Sequence, residues 1–233
     1  MVSVGVAILS LLTAAQSEPV PPPPQFRMGP DTETPVPSIP DKFRSIIKGA
    51  TREVLTVRAL DGRDIPVHIS GYRLYDYRLF QNDRFLGLEW SGYEVVGYLV
   101  IDRAARENAI IATGRQPLFS NDGHWFAVAG LTDASQGNFE AIGLWEVGPL
   151  GSTRRFYTDA VPISTDWRIE RWVGNCVAFS ALNSMPNWGR QAGSDEADAP
   201  AEPQKRDNYS LWIRPNITLH WSEEPPCTAS IRP

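Results

Sequence analysis

Carboxylates are the candidate catalytic side chains of this sequence, because it lacks the short sequence motifs of other enzyme classes. The sequence has no G-x-x-x-x-G-K-[ST] loop, no dinucleotide fingerprint, no H-E-x-x-H pair and no G-x-S-x-G elbow. Two carboxylates at a fixed separation can hydrolyse a glycosidic bond. Nothing in their spacing brings two together, so we predict no catalytic residue and favour a non-catalytic role, with enzymatic activity left open. The acids considered are Glu89, Glu94, Asp102, Glu146 and Glu170.

Metal, cofactor and nucleic-acid binding are not indicated. The three histidines, His68, His124 and His220, stand far apart in the sequence, and isolated histidines are most often surface or core residues. We therefore predict no metal site and no cofactor. The net charge of −5 and the pI near 5.3 argue against a nucleic-acid surface, which would be basic.

Aromatic side chains are the second group that could bind a ligand, since their faces stack on sugar rings and anchor protein partners. Tyr72, Tyr75 and Tyr77 alternate with polar residues, which favours one exposed aromatic stripe. Trp167 and Trp172 lie among Arg and Glu residues. We predict a candidate binding surface from these five residues; the alternative is that the rings fill or cover the core.

The start of the sequence is typical of an exported protein. Residues 1–15 form an apolar run that ends in small residues, which predicts a signal peptide cleaved after Ala15. The run is too short to span a bilayer, and no later stretch approaches 18 apolar residues, so no membrane span is expected after cleavage. The alternative is a short buried strand or helix. We expect a periplasmic or secreted protein with a protein or glycan partner in the cell envelope.

The two cysteines, Cys176 and Cys227, are predicted to form a disulfide, because export takes a protein into an oxidising compartment. A closed loop of about 50 residues is worth roughly 4 kcal/mol in the chain-entropy model. The alternative is a pair of buried free thiols, since Cys176 lies in an apolar run.

Short apolar segments bounded by Gly, Asn, Asp or Pro recur along the chain, which is typical of β-strands. Glu53–Leu60 and Ile65–Ile69 flank an Asp61-Gly62 turn and predict a hairpin. No helical periodicity separates the later strands, which excludes a doubly wound α/β fold.

The predicted organisation is a signal peptide at residues 1–15, a Pro-rich disordered linker at 16–40 and a single β-rich domain at 41–233. A polar, acidic stretch at residues 183–208 predicts a mobile insertion between two strands. One short N-terminal helix is predicted from Ser38, because Phe43, Ile46 and Ile47 recur at helical spacing.

A repeat gives the most specific information on the fold. Leu79–Leu88 and Leu118–Val128 share Leu-Phe-x-Asn-Asp at an offset of 39 residues. After one inserted residue the second copy continues in step, so that Phe85 corresponds to Trp125 and Leu88 to Val128. A period near 40 residues is typical of arrays of small β-units, propeller blades among them.

The repeat can be compared with a known family. Phe119–Ala127, F-S-N-D-G-H-W-F-A, resembles the F-S-x-D-G-x-x-x-A strand opening of the WD-repeat-like, TolB-type β-propellers, and Gly143–Val147 resembles a later, Trp-bearing strand of such a blade. A third, poorer copy runs through Arg171–Phe179 and Tyr209–Ile213. The resemblance implies an all-β fold of antiparallel meander repeats, as a partial or small propeller; a β-sandwich is the alternative.

These observations predict an exported, non-catalytic β-domain that binds a protein or cell-envelope partner. The alternative is a carboxylate-dependent hydrolase that acts on envelope glycans. Two acids in one aromatic cleft would favour the hydrolase, whereas scattered acids would favour binding.

Overall fold

The structure is a computed structural model, and it describes residues 35–92, 96–130, 141–159, 164–183, 206–213, 217–222 and 226–227. The predicted signal peptide, most of the predicted linker and residues 184–205 of the predicted insertion lie outside these ranges, as does Glu94. The proposed division into signal peptide, linker and domain therefore stays a prediction.

The described residues form one short 3₁₀ turn, Asp41–Phe43, and four antiparallel sheets. Sheet 1 contains β1 (Ile47–Ala50), β2 (Val54–Arg58) and β3 (Asp64–His68). Sheet 2 contains β4 (Arg73–Phe80), β5 (Phe85–Ser91), β6 (Val96–Asp102) and β7 (Ile110–Ala112). Sheet 3 contains β8 (Leu118–Phe119), β9 (Trp125–Ala129), β10 (Ile142–Gly148) and β11 (Gly151–Thr158). Sheet 4 contains β12 (Ser164–Val173), β13 (Cys176–Asn183), β14 (Arg206–Trp212) and β15 (Thr218–Ser222).

Each sheet is a meander, because every strand pairs with the strand that follows it in the chain. The predicted all-β fold of antiparallel, propeller-like repeats is therefore confirmed. The predicted hairpin is also present: Val57 pairs with Ile65 across a turn in which Gly62 has a φ of 89°, a conformation that glycine adopts without steric cost. The β-sandwich alternative would need two sheets rather than four.

The sheets stack face to face in chain order. One apolar cluster lies between sheets 1 and 2, with Leu55 and Leu88 among its members. A second joins sheets 2 and 3, and a third joins sheets 3 and 4 and includes Leu144 and Phe179. Consecutive packing of small antiparallel sheets is the arrangement of propeller blades.

In the two copies of the sequence repeat, corresponding residues after the turn pack in the same direction. Leu86 and Phe126 both pack against the preceding sheet, while Phe85 and Trp125 both pack toward the following one. Before the turn the correspondence breaks, because Phe80 of sheet 2 and Phe119 of sheet 3 face each other with ring centroids 5.2 Å apart. The two copies therefore pack directly on one another.

The poorer third copy also lies where the repeat would place it. Its first part spans the end of β12, the Gly174-Asn175 turn and the start of β13. Its second part covers β14, which is the third strand of sheet 4 as β10 is of sheet 3. Sheet 1 is a fourth unit, which the repeat did not reveal.

The predicted short N-terminal helix is present as a single 3₁₀ turn and does not extend to Ile46 and Ile47. Only Asp41–Phe43 is helical, without a side-chain cap, and Ile47 already belongs to β1. Phe43, Ile46 and Ile47 are all buried in the cluster between sheets 1 and 2. Their spacing is explained by a turn followed by a strand, because pairing of β1 with β2 overrides helix propensity.

The two ends of the stack are covered in different ways. The outward side of sheet 1 carries exposed Arg58, Asp64 and His68, a polar surface of the kind that terminates a repeat array. On sheet 4, buried Cys176 is bonded to Cys227 with a Cα–Cα distance of 5.7 Å, and Ala178 packs in the same cluster. The predicted disulfide is thus present and fastens the segment at residues 226–227 onto this sheet.

Candidate functional site

A cleft of about 570 Å³ opens between sheet 2, the β7–β8 connection and β12. β8, the first strand of sheet 3, has only 2 residues, whereas β12, the first strand of sheet 4, has 10. Of β8, only Leu118 borders the cleft. The cleft is lined by Glu89 and residues 96–98 on one wall, by residues 114–118 at the connection and by residues 167–169 on the other wall.

The β12 wall is organised by an ion cluster around Asp166. Arg168 Nη2 lies 2.6 Å from Asp166 Oδ2, and Arg206 Nη1 lies 2.8 Å from the same oxygen. Arg115 Nη1, from the β7–β8 connection, lies 3.5 Å from Oδ1. Three guanidinium groups thus converge on a single carboxylate beside the cleft.

Asp166 is held rigidly within this cluster. Its φ is 48°, in the left-handed region that Asp tolerates better than most residues. Burial raises the pKa of its carboxyl, but hydrogen bonds from Arg206 and Arg168 outweigh this effect, and the net pKa lies below its usual range. Asp166 therefore stays ionised at neutral pH and acts as the fixed anchor of the arginines.

Arg206 forms hydrogen bonds that connect neighbouring strands of sheet 4. Its Nε donates to Ser180 Oγ at 2.9 Å, and its Nη2 donates to the Asp166 carbonyl oxygen at 2.6 Å and the Ser180 carbonyl oxygen at 3.3 Å. The Ser180 hydroxyl in turn donates to Glu170 Oε1. These bonds join β12, β13 and β14 and fix the base of the cluster.

The sheet 2 wall has the opposite charge. Glu89 is exposed there, and it stands opposite Asp76 in the β4–β5 register. Arg78 Nε donates to Asp76 Oδ2 at 2.6 Å. Asp76 is paired with Arg78 and lies outside the cleft lining, so Glu89 provides the negative charge of this wall and the arginines the positive charge of the other.

Tyr98 lies at the base of the sheet 2 wall and is almost completely buried. The residue is 3 % exposed, and its hydroxyl has no hydrogen-bond partner among the described residues. Burial raises the pKa of this hydroxyl well above its usual value. The ring fits because Gly87 has no side chain: a Cβ there would lie 2.2 Å from the Tyr98 oxygen.

The acids considered from sequence are not brought together. Only Glu89 lines the cleft. Asp102 is fully buried and bonded to Arg84, Glu146 pairs with Arg155 on sheet 3, and Glu170 accepts the Ser180 hydroxyl. Among the described residues, then, the two-acid arrangement of the hydrolase hypothesis is not formed by these side chains.

The predicted aromatic surface is wrong for most of its members. Tyr72, Tyr77 and Trp167 are 4 %, 4 % and 0 % exposed, and they belong to the cores between sheets. A bulge between Leu74 and Asp76 breaks the alternation of β4, so Tyr77 points into the core while Tyr75 is exposed. Trp172 is half-buried and donates from Nε1 to the Leu118 carbonyl oxygen at 3.0 Å.

The histidines are distributed over three sheets. His68 lies on β3, His124 in the β8–β9 turn and His220 on β15. Within the described ranges, no group of three or more His, Cys, Asp or Glu side chains is placed to hold a metal ion. No helix in the same ranges is long and apolar enough to cross a membrane.

The decisive residues of the cleft escaped sequence reasoning. Arg115, Asp166 and Arg206 come from three separate segments, and Tyr98 lies within an ordinary apolar strand. The one available signal was the polar sequence around Trp167, which placed Arg168 near a binding surface. Arg168 does line the cleft, whereas Trp167 is fully buried in the core.

Comparison with known proteins assigns no family to this chain. No family model matches it, and no curated protein matches it. A solved Bacteroides fragilis protein, described as a candidate 6-phosphogluconolactonase, is similar at 10% sequence identity and a TM-score of 0.36. The alignment covers 72% of this chain and 49% of that one, so this chain spans about half of that protein's length.

Proposed function

We propose that this protein is an exported, non-catalytic β-domain that binds a cell-envelope partner in the cleft between sheet 2 and β12. The observation that carries the proposal is the cleft itself, about 570 Å³ in volume, with oppositely charged walls. Sites of this kind combine a preformed concavity with a few fixed polar groups.

Binding is favoured over hydrolysis by the state of the carboxylates. A glycosidase needs a general acid whose pKa is raised, and a second carboxylate close to it. Asp166, the acid beside the cleft on the β12 wall, instead has a lowered pKa and is bonded to arginines. It serves as a structural counterion rather than as a proton donor.

Export is supported by two independent features. Residues 1–15 have the pattern of a signal peptide, and the Cys176–Cys227 disulfide is compatible with an oxidising compartment. We also propose that the sheets are blades of the WD-repeat-like, TolB-type propellers, because the repeated turn motif lies between the first two strands of both sheet 2 and sheet 3.

Photo-cross-linking from inside the cleft tests the proposal. A benzoylphenylalanine would replace Gln116, which lines the cleft, and a control would carry it at Tyr157, an exposed position of β11 on sheet 3. The two proteins would be irradiated with isolated cell envelopes and with envelope proteins alone. We expect one defined adduct from position 116 that unlabelled protein competes away, and none at position 157.

A hydrolase assay with the same preparations tests the alternative. Release of soluble sugar from envelope glycans by the wild-type protein, abolished by Glu89→Gln, would overturn the non-catalytic function. Identical adducts from positions 116 and 157 would overturn the cleft as the binding site.

A further inference from the structure

We infer that the β12 wall of the cleft is an oxyanion site, in which Arg115 and Arg168 bind a carboxylate or phosphate group of the ligand. The inference rests on the proposed function, because it names the chemistry by which the same cleft would recognise its partner. It adds a class of ligand and two residues that no motif in the sequence indicates.

The β12 wall carries more positive than negative charge among its described residues. Arg115, Arg168 and Arg206 surround Asp166 at 3.5, 2.6 and 2.8 Å. The nearest further carboxylate in this network is Glu170, which accepts from Ser180. Among the described residues of this bonded network, three arginines meet two carboxylates, and a ligand anion would neutralise the remaining positive charge.

Arg168 has hydrogen-bond donors that no described residue uses, whereas most donors of Arg206 are used. Four hydrogen bonds hold Arg206 to Asp166 and Ser180, and its side chain is 25 % exposed, so it is less available to a ligand than Arg168. Arg168 contacts only Asp166 among the described residues, through one nitrogen, and its side chain is 59 % exposed. Its remaining N–H groups point to no protein acceptor in the described ranges, and an arginine fork can bind carboxylate or phosphate in a bidentate manner.

Arg115 completes the pair from the opposite side of Asp166. Its Nη1 donates to the Trp167 carbonyl oxygen at 3.3 Å and contacts Asp166 Oδ1 at 3.5 Å. These contacts hold the guanidinium at the cleft, while the side chain remains 40 % exposed. Because Arg115 and Arg168 share one fixed carboxylate, they are positioned before any ligand arrives, which reduces the entropy lost on binding.

The acidic wall makes the site selective. Glu89 faces the cleft across from the arginines, and a like charge opposes a simple anion. A ligand with a second, cationic or hydroxyl-bearing end would instead satisfy Glu89. Replacing Glu89 by Gln should therefore strengthen the binding of a simple anion.

The test is an NMR titration of the full chain with inorganic phosphate and, separately, with acetate, at constant ionic strength. Backbone amide shifts of residues 114–116, 118 and 166–169 report on the site; Pro117 has no amide hydrogen. We expect saturable shifts confined to these segments with at least one of the two anions, and the stronger anion identifies the group. Arg168→Gln should weaken this affinity roughly tenfold or more, because a charge-assisted hydrogen bond is lost. Arg168→Lys should weaken it less, and Glu89→Gln should strengthen it a few-fold.

Arg155→Gln is the matched control. Arg155 is an exposed arginine paired with Glu146 on sheet 3, and its loss should leave the anion affinity unchanged. Equal affinity in Arg168→Gln and wild type, or absence of saturable shifts with both anions, would overturn the oxyanion site. If the cross-link from position 116 persists in that case, the proposed binding function stands and only the ligand class is wrong; if the cross-link is also absent, both fail.

Discussion

Replacing Asp102 by Ala should be among the most destabilising single changes in this protein. Asp102 is 0 % exposed and joins sheets 2 and 3. Arg84 donates to it twice, from Nε to Oδ1 and from Nη2 to Oδ2, both at 2.9 Å. Ser152 Oγ donates at 2.8 Å and the Ala104 amide at 3.1 Å. All four bonds would be lost together.

The size of the destabilisation follows from the Arg84 charge that Asp102→Ala leaves without its carboxylate partner. Arg84 is only 18 % exposed, and without Asp102 its charge keeps a single described acceptor, the Gly148 carbonyl oxygen at 2.6 Å. Removing one partner of a buried ion pair costs about 3–5 kcal/mol. For a domain of this size, 1 kcal/mol corresponds to about 2–4 °C in Tm, so the expected loss is about 6–20 °C.

Urea unfolding followed by Trp fluorescence and far-UV circular dichroism would measure the change, provided that the two transitions coincide. Asp76→Ala is the control, because it removes an exposed ion pair of the same sheet, worth at most about 1 kcal/mol. An Asp102→Leu, Arg84→Met double variant should recover part of the loss, since no charge is then buried alone. A loss below about 1 kcal/mol in Asp102→Ala, equal to that of the control, would refute this reasoning.

Three further predictions concern other parts of the fold. Gly97→Ala should lower the unfolding free energy measured in urea by about 1–3 kcal/mol, because its Cβ would lie 2.4 Å from the Trp90 indole. Gly49→Ala is the control and should be nearly neutral, because nothing lies within 4 Å of its Cβ. Equal effects of the two substitutions would contradict the packing argument. The Ser120 hydrogen bond and the His124 amide lower the pKa of Asp122 in the folded state, so its contribution to stability is present above the unfolded pKa and is lost as the pH falls through the folded one. Ser120→Ala should therefore flatten the dependence of the unfolding free energy on pH below about pH 4, and an unchanged slope would count against it. Reduction of the Cys176–Cys227 bond, which spans 51 residues, should lower the unfolding free energy by about 4 kcal/mol and release two titratable thiols, and two thiols without reductant would rule the bond out.

Sequence reasoning succeeded where the physics is local. The apolar, proline-free runs after the repeated turns predicted β5 and β9, because a strand between two sheets is apolar on both sides. The hairpin of β2 and β3 was predicted from its Asp61-Gly62 turn. Export and partner binding were also inferred from sequence, and they remain proposals.

It failed where a single residue shifts the register or where the contacts are distant. The bulge at Tyr75 moves Tyr77 from the predicted stripe into the core, and no residue type announces it. The β12 wall of the cleft depends on the contact between Asp166 and Arg206, which lies 40 residues later in the chain. Such long-range contacts are determined by how the strands pair and the sheets pack, and not by any local sequence pattern.

The stacking order of the sheets has a consequence for how the chain acquires its structure. Every described strand pair joins consecutive strands, and the three apolar clusters that lie between sheets each join consecutive sheets. A chain that emerges N-terminus first could therefore complete each sheet and dock it on the previous one without waiting for later segments. Pairing of strands that are neighbours in the chain closes shorter loops than pairing of distant strands, which favours faster folding. Oxidation of Cys176 with Cys227 would come last and would lock a stack that is already assembled.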